Sequence, residues 1–233
     1  MHTGKGQVLE TILEDGQRLM RIACPASLIP TAGQYLLAGD ASLSLSQCSP
    51  LPVPLFYTDS ASEGFVASHP IPQSWMPGMS LSLRGPLGRG FVIPVSVRKV
   101  ALVAYDDSPI RLRGLIQPAL KQGAAVVLVS DFAIDHLSDE VEVQPLSTLA
   151  EIVAWADYAA FDVARANLIQ LREKLGMLNQ LSAVYEAQVL IRTSMPCGGV
   201  AECGVCAVSL KSGWQLACKD GPVFDLRQPK TKS

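Results

Sequence analysis

The sequence predicts a β plus α/β fold: an N-terminal antiparallel β-barrel, a central α/β domain around a parallel sheet, and a C-terminal cysteine loop closed by a β-hairpin. Three observations carry this. Residues 1–97 are rich in Gly, Pro and Ser, and their apolar patches are short. From residue 98 to 183, strand-like and helix-like stretches alternate. Residues 184–233 contain "MPCGGVAECGVCAV" at 195–208, with three cysteines close together.

In the first segment, "GQVLETILEDGQRLMRIACP" alternates in polarity around Asp15-Gly16, a dipeptide suited to the positive φ angles of a tight hairpin. "AGQYLLAGD", "PVPLFYTDS", "GFVASHP" and "GMSLSLRGPLGRGFVIPV" follow as short strands divided by Gly and Pro. Regular short strands of this kind close most simply into a small barrel.

In the second segment, "RKVALVAY" has the continuous apolar character of a buried parallel strand. "DDSPIRLRGLIQPALKQG" after it carries helix signals: Ser108 as a cap, Pro109 at the first position and Gly123 at the exit, with Pro118 set to kink or shorten the helix. "AAVVLVSDF" and "EVEVQP" read as strands, "STLAEIVAWA" as a helix, "DYAAFD" as a strand, "VARANLIQLREKLGML" as a helix and "AVYEAQVLIRT" as the last strand.

In the third segment, "AVSL" and "WQLAC" are strand-like on either side of "KSG", a three-residue turn with Gly213 in a left-handed position. Centred on Ser212, that register sets Leu210 opposite Trp214, Val208 opposite Leu216 and Cys206 opposite Cys218. The fourth thiol is thereby returned to the other three. The pattern Cys197, Cys203, Cys206, Cys218 has one C-x2-C knuckle, where a zinc ribbon normally has two. A long loop giving three thiolates, with a fourth from a distant strand, fits a plant-type [2Fe–2S] site, and structural zinc is the alternative. Gly198, Gly199 and Gly204 between the ligands allow tight turns whose N–H groups approach the sulfurs. Cys24 and Cys48 lie in the barrel segment and read as buried, inert thiols.

The totals exclude several classes. Of 233 residues, 48% are hydrophobic and 17% charged, so the chain can bury cores and is not disordered. A net charge of −2 with no basic block argues against nucleic acid. The longest apolar runs, such as "AAVVLVS" at 124–130, are strand-sized, so no membrane span is predicted. Six cysteines behind an N-terminus with no signal peptide predict reduced thiols or metal ligands and a cytoplasmic protein. His2, His69 and His136 have no metal-spaced partners, and no hydrolytic set stands out, so no catalytic residue is assigned.

"CGGVAECGVCAV…LACKDGPVF", "RGPLGRGF" at 84–91 and "AGQYLLAG" at 32–39, in the order barrel, α/β domain, cysteine loop, resemble the electron-transfer subunit of NAD-linked dihydroorotate dehydrogenase, within the ferredoxin-reductase-like flavoproteins. The resemblance covers essentially the whole chain and implies an FAD-binding barrel, an NAD(H)-binding α/β domain, and a [2Fe–2S] cluster that exchanges electrons with an FMN-bearing catalytic subunit of pyrimidine biosynthesis. It makes Cys197, Cys203, Cys206 and Cys218 the iron ligands, and places the flavin along residues 53–57, with Pro54, Phe56 and Tyr57 as its contacts; barrel core is the alternative reading for Phe56 and Tyr57.

The departures are specific. The family's Arg-Pro-x-Ser flavin element is "VPLF" here, so the phosphate-binding arginine is Val53 and the serine is Phe56. No glycine-rich turn follows "GFVAS", which leaves Arg84 or Arg89 as substitute clamps. After "KVALVAY" there is no glycine before Gly114, and Asp106 and Asp107 stand where a dinucleotide's phosphates would lie. Those carboxylates read as partners of their own helix's positive end. The family's Cys-Gly-Pro segment near the nicotinamide is "FDVARAN", and the first ligand spacing is one residue longer than usual. FAD, if held, is therefore held weakly, and NAD(H) is not expected to bind. The expectation is an electron-transfer subunit within a hetro-oligomer with a dihydroorotate dehydrogenase-like flavoprotein; the alternative is a non-catalytic interaction subunit built on structural zinc or a structural cluster.

Overall fold

The structure is a computed structural model that describes residues 2–14, 16–42, 51–68, 70–132, 136–177, 186–210 and 213–226. Asp15, Cys48, His69 and Ser212 lie outside these residues.

Six strands form a closed antiparallel barrel: β1 (His2–Glu14), β2 (Gln17–Ala23), β3 (Tyr35–Asp40), β4 (Val53–Ala61), β5 (Gly64–Ser68) and β6 (Ser80–Leu87), in the order β1-β2-β5-β4-β3-β6. The predicted hairpin is present, with Glu14 paired to Gln17 and Gly16 at φ 72°. Alternate residues of β6, Leu81, Leu83 and Leu87, turn into the core while Ser80 and Ser82 face out, as a period of two requires. Pairing of β6 with β1 removes both sheet edges.

The second sheet holds β7 (Lys99–Ala104), β8 (Ala125–Val129), β9 (Val141–Gln144), β10 (Tyr158–Ala164), β11 (Glu186–Arg192) and, from the C-terminal segment, β14 (Val223–Asp225), in the order β14-β11-β10-β7-β8-β9. The first five are parallel; β7, β8 and β10 are mostly apolar, as strands covered on both faces must be, whereas edge strand β9 exposes Glu142 and Val143. The sequence reading missed β14, a three-residue strand that returns antiparallel to β11. The helices are α1 (Ile116–Lys121), α2 (Leu149–Trp155) and α3 (Leu168–Met177).

The predicted helix after β7 is mostly absent. Two 3₁₀ turns, Pro109–Arg111 and Arg113–Leu115, precede a six-residue α1, and Ser108 makes no capping bond. Pro118 has no N–H to donate, which favours this short form. Gly123 ends α1 at φ 76° as expected.

Two features join the barrel to the α/β sheet. Arg113 pairs with buried Glu14 at the end of β1. Gly114 lies under the Tyr57 ring, where a Cβ would approach to 2.6 Å. Among the described residues, no helix is long and apolar enough to cross a membrane.

Candidate iron–sulfur centre

The cysteine segment leaves β11 through buried Met195 and turns repeatedly before β12 (Ala207–Leu210) and β13 (Gly213–Leu216). Gly198 N–H donates to Met195 O, Val200 N–H to Cys197 O, and Ala207 N–H to Gly204 O. Gly198 has φ 53°, and a Cβ there would collide with Arg84 Nη2 and Leu37 Cδ1. Only glycine lets the loop lie this close to the barrel.

The hairpin is one residue out of the predicted register. Ala207, not Val208, pairs with Leu216; Ser209, not Leu210, pairs with Trp214. Gly213, at φ 107°, begins β13 instead of ending the turn. Trp214 accordingly lies opposite Ser209 and is 78% exposed. Strict continuation would put Cys206 opposite Ala217, and Ala217 N–H does donate to Cys206 O. The thiols nevertheless meet because the strand stops at Leu216. Asp220 Oδ2 accepts from Leu216 N–H at 2.8 Å, the N–H groups of Lys219 and Asp220 donate to Leu216 O, and this turn swings Cys218 back.

The sulfurs of Cys206 and Cys218 are 3.1 Å apart, and those of Cys197 and Cys203 are 3.7 Å apart. Two thiolates on one tetrahedral metal at about 2.3 Å would stand about 3.8 Å apart. The arrangement is two close pairs, with Cys218 also reaching Cys197 across them; among the described residues no three metal-binding side chains surround a single ion position. The pairs differ in depth: Cys206 and Cys218 are buried, Cys197 is half-buried and Cys203 exposed.

Electrostatics follow depth. Burial, then the hydrogen bond to and charge of Cys206, push the Cys218 thiol up to about 12. Burial acts upward on Cys197 too, but hydrogen bonds with the backbone at Ala201 and Gly199 and with the Cys203 and Cys218 thiols outweigh it and bring Cys197 down to about 7; the thiol donates to Ala201 O at 3.1 Å. Cys197 thus yields a proton readily, whereas Cys218 needs a metal's charge to become a thiolate. A four-thiol donor set in a tightly turned glycine-bearing loop fits an iron–sulfur group. Cys24 stands apart in the barrel; it is half-buried, not buried as expected, and burial pushes its thiol up.

Two barrel side chains reach the segment. Tyr35 O–H donates to Cys218 O at 3.1 Å, and Arg84 donates to Cys197 O at 2.7 Å and Gly198 O at 3.2 Å. Neither role was visible in the sequence, where Arg84 stood only as a substitute phosphate clamp. Arg89, the other substitute, lines a different cavity beside Gln34 and Gln188.

Pro54 and Phe56 line a largely apolar cavity of about 620 Å³ between β4 and residues 192–196, with Met195, Pro196, Arg111 and Arg192 around it. Tyr57 is not with them. Its ring stacks on Phe65 and faces the seam at Gly114. Phe56 contacts Tyr35, with ring centroids 5.9 Å apart, so the cavity and the thiols share a wall.

The C-terminal ends of β7 and β10, where strand order reverses and an open α/β sheet ordinarily binds ligand, hold a network of charged side chains. Arg111 bonds Asp162 at 2.8 Å and Asp107 at 2.7 Å; Arg192 bonds Asp162 at 2.7 Å, Asp107 at 3.1 Å, and Asp106. Asn167 Nδ2 and Ala164 N–H also donate to Asp106. Asp106 and Asp107 are therefore not simply partners of a helix end, as the sequence suggested, since no α-helix starts there; they are committed to arginines.

Residues 193–228 match the family of the iron–sulfur cluster binding domain of dihydroorotate dehydrogenase B. Among solved structures, the chain is similar to the NADH-dependent reduced ferredoxin-NADP oxidoreductase, described in a study of flavin-based electron bifurcation. That match has 16% identity over 94% of this chain and 87% of that one, with a TM-score of 0.72. It is also similar to the ferredoxin reductase of carbazole 1,9a-dioxygenase, at 12% identity over 82% and 69% with a TM-score of 0.60. A ferredoxin-NADP+ reductase mutant from Plasmodium falciparum matches at 7% identity over 82% and 96%, with a TM-score of 0.58. The chain therefore has the fold of the ferredoxin reductases, and its residues 193–228 are similar to the cluster-binding domain of dihydroorotate dehydrogenase B.

Proposed function

We propose that this chain is an electron-transfer subunit in which Cys197, Cys203, Cys206 and Cys218 hold a [2Fe–2S] cluster. We further propose that it exchanges electrons with a flavoprotein oxidoreductase of the dihydroorotate dehydrogenase kind, in a cytoplasmic hetero-oligomer. The observation that carries the reading is the meeting of four thiols as two pairs within the matched segment. Two pairs suit two irons, with Cys197 and Cys203 on one and Cys206 and Cys218 on the other; a single zinc would want four equivalent sulfurs. When bound, the cluster supplies one-electron storage. The chain's own residues hold the sulfurs, bury one pair, hydrogen-bond Cys197 to the loop backbone and leave Cys203 at the surface. Exposed Val200, Val205 and Trp214 on the same segment suit a face that meets a partner. Thiolate ligation suits the reducing compartment. One anaerobic preparation, analysed for iron, sulfide and zinc, tests the reading: about two irons and two sulfides per chain support it, and one zinc with no visible absorption refutes it.

The crevice network supports loss of the nicotinamide site. Three carboxylates stand where phosphates would need N–H groups, and both arginines are already bonded to them. NADH and NADPH are expected to show no binding in calorimetric titrations of the isolated chain at low salt. Saturable binding in the micromolar range would overturn this part of the reading.

For FAD, the structure fits the ring better than the phosphates. A cavity lies beside Pro54 and Phe56, but Val53 replaces the clamp and Arg84 is bonded to the cysteine loop. Two missing charge-assisted hydrogen bonds, each worth about 1.5–3 kcal/mol, weaken binding by roughly two to four powers of ten. Gently purified protein is expected to carry well under one FAD per chain, and gel filtration to strip it. Fluorescence of acid-released flavin checks this; stoichiometric FAD after gel filtration would return the chain to the flavoproteins.

A further inference from the structure

Guanidinium groups from both domains bind the carbonyls that flank the cysteines. Arg84, in barrel strand β6, donates to Cys197 O and Gly198 O. Arg165, just after β10, donates to Val205 O at 2.7 Å and Ala207 O at 3.2 Å, on either side of Cys206. The two differ in exposure: the Arg84 bonds are half-buried and the Arg165 bonds are at the surface. The absent side chain of Gly198 is what admits Arg84. Arg84 shares an electrostatic neighbourhood with three of the sulfurs. Burial and the Cys218, Cys206 and Cys197 thiols push the Tyr35 phenol up, and Arg84 acts in the opposite direction on the same group.

We propose that Arg84 sets the reduction potential of the cluster, raising it by placing a half-buried positive charge against the carbonyls of the first ligand. The inference rests on the [2Fe–2S] reading above. Two ferric irons, two sulfides and four thiolates sum to a charge of about −2, and one electron taken from a one-electron donor makes it about −3, with no bond broken and no proton required. A fixed cation stabilises the second state more than the first. Its effect is larger where water screens it less, so Arg84 outweighs exposed Arg165. Lysine is a poorer substitute, because its ammonium is more strongly hydrated and cannot bridge two carbonyls as a planar fork.

The test is a mediated redox titration of the full chain after cluster reconstitution, followed by low-temperature electron paramagnetic resonance, with iron and sulfide measured on each sample. Arg84→Gln is expected to lower the equilibrium constant for reduction by about tenfold, which is about 59 mV for a one-electron couple. Arg84→Lys is expected to fall by about threefold, and Arg165→Gln by less than twofold. A merely structural staple would change iron content without moving the potential of the clusters that remain. Arg84→Gln at the wild-type potential overturns the inference. If Arg84→Gln retains no cluster, Arg84→Lys decides it, and a wild-type potential there overturns it equally. Wild-type protein that takes up no iron and sulfide is a separate outcome, which overturns the cluster reading itself.

Discussion

Replacing Cys218 with serine is expected to remove iron from the chain as completely as replacing Cys203, although the two residues differ in almost every other respect. Cys203 is exposed, in a glycine-rich loop, and near its predicted partner in sequence; Cys218 is buried beyond a hairpin. Each is one half of a close sulfur pair, with Cys197 at 3.7 Å and Cys206 at 3.1 Å. Losing either leaves one iron of the proposed cluster with a single thiolate. Serine oxygen is a harder ligand and a poor substitute for iron–sulfur chemistry. We expect iron per chain to fall by at least about fivefold for both variants, with visible absorption lost in parallel, while Cys24→Ser keeps full iron. Cys218→Ser with full iron and an unchanged spectrum would mean that the fourth ligand is elsewhere. The comparison also separates ligation from folding. Tyr35 bonds the backbone carbonyl of Cys218, not its sulfur, so that contact survives the substitution and circular dichroism should be unchanged.

What the sequence made legible was what depends on local chemistry and period. Alternation around Gly16 gave the first hairpin, continuous apolar runs gave the parallel strands, and the cysteine spacing gave the four thiols. What it hid depends on contacts between distant residues. The juxtaposition of Cys206 and Cys218 was expected on a register that proved one residue off, and it survives through the Asp220 turn, an arrangement that strand counting cannot find. Arg84 looked like a candidate for phosphate because a guanidinium's partner is not written in its neighbours. The helix signals after β7 misled because Pro118 and the arginine–carboxylate bonds prevailed over capping propensity. The two aspartates that follow the first parallel strand are explained by Arg111 and by Arg192, more than eighty positions away, and Arg111 in turn pairs with Asp162, fifty-one positions from it.

That pairing makes Arg111→Met the substitution expected to cost the most stability. Arg111 and Asp162 are each 1% exposed, and the network holds three carboxylates against two guanidiniums. Removing Arg111 leaves Asp162 with Arg192 alone and concentrates three negative charges around one positive charge. Breaking a buried pair from one side costs about 3–5 kcal/mol, and for a chain of this size each kcal/mol lowers the melting temperature by about 2–4 °C. A drop on the order of 10 °C at pH 7 is the expected result, read by calorimetry or by denaturant unfolding. The deficit should shrink in acid. Burial alone would push the Asp107 carboxyl up, but the charge of Arg111 and hydrogen bonds from Ser108 and Arg111 hold it below the ordinary carboxylate value. Its stabilising contribution is therefore complete above about pH 4 and is lost as pH falls through the lowered value. The variant keeps the bonds from Ser108 and Arg192 but lacks the Arg111 share, so the two stability curves should draw together as pH falls through that value. Pairing Arg111→Met with Asp162→Leu should recover part of the loss, because an apolar pair leaves no buried charge without its partner. A single variant that melts within about 2 °C of wild type at pH 7 would show that the crevice charges are hydrated and dispensable. The crevice would then be open to ligand, and the argument against a dinucleotide there would lose its main support.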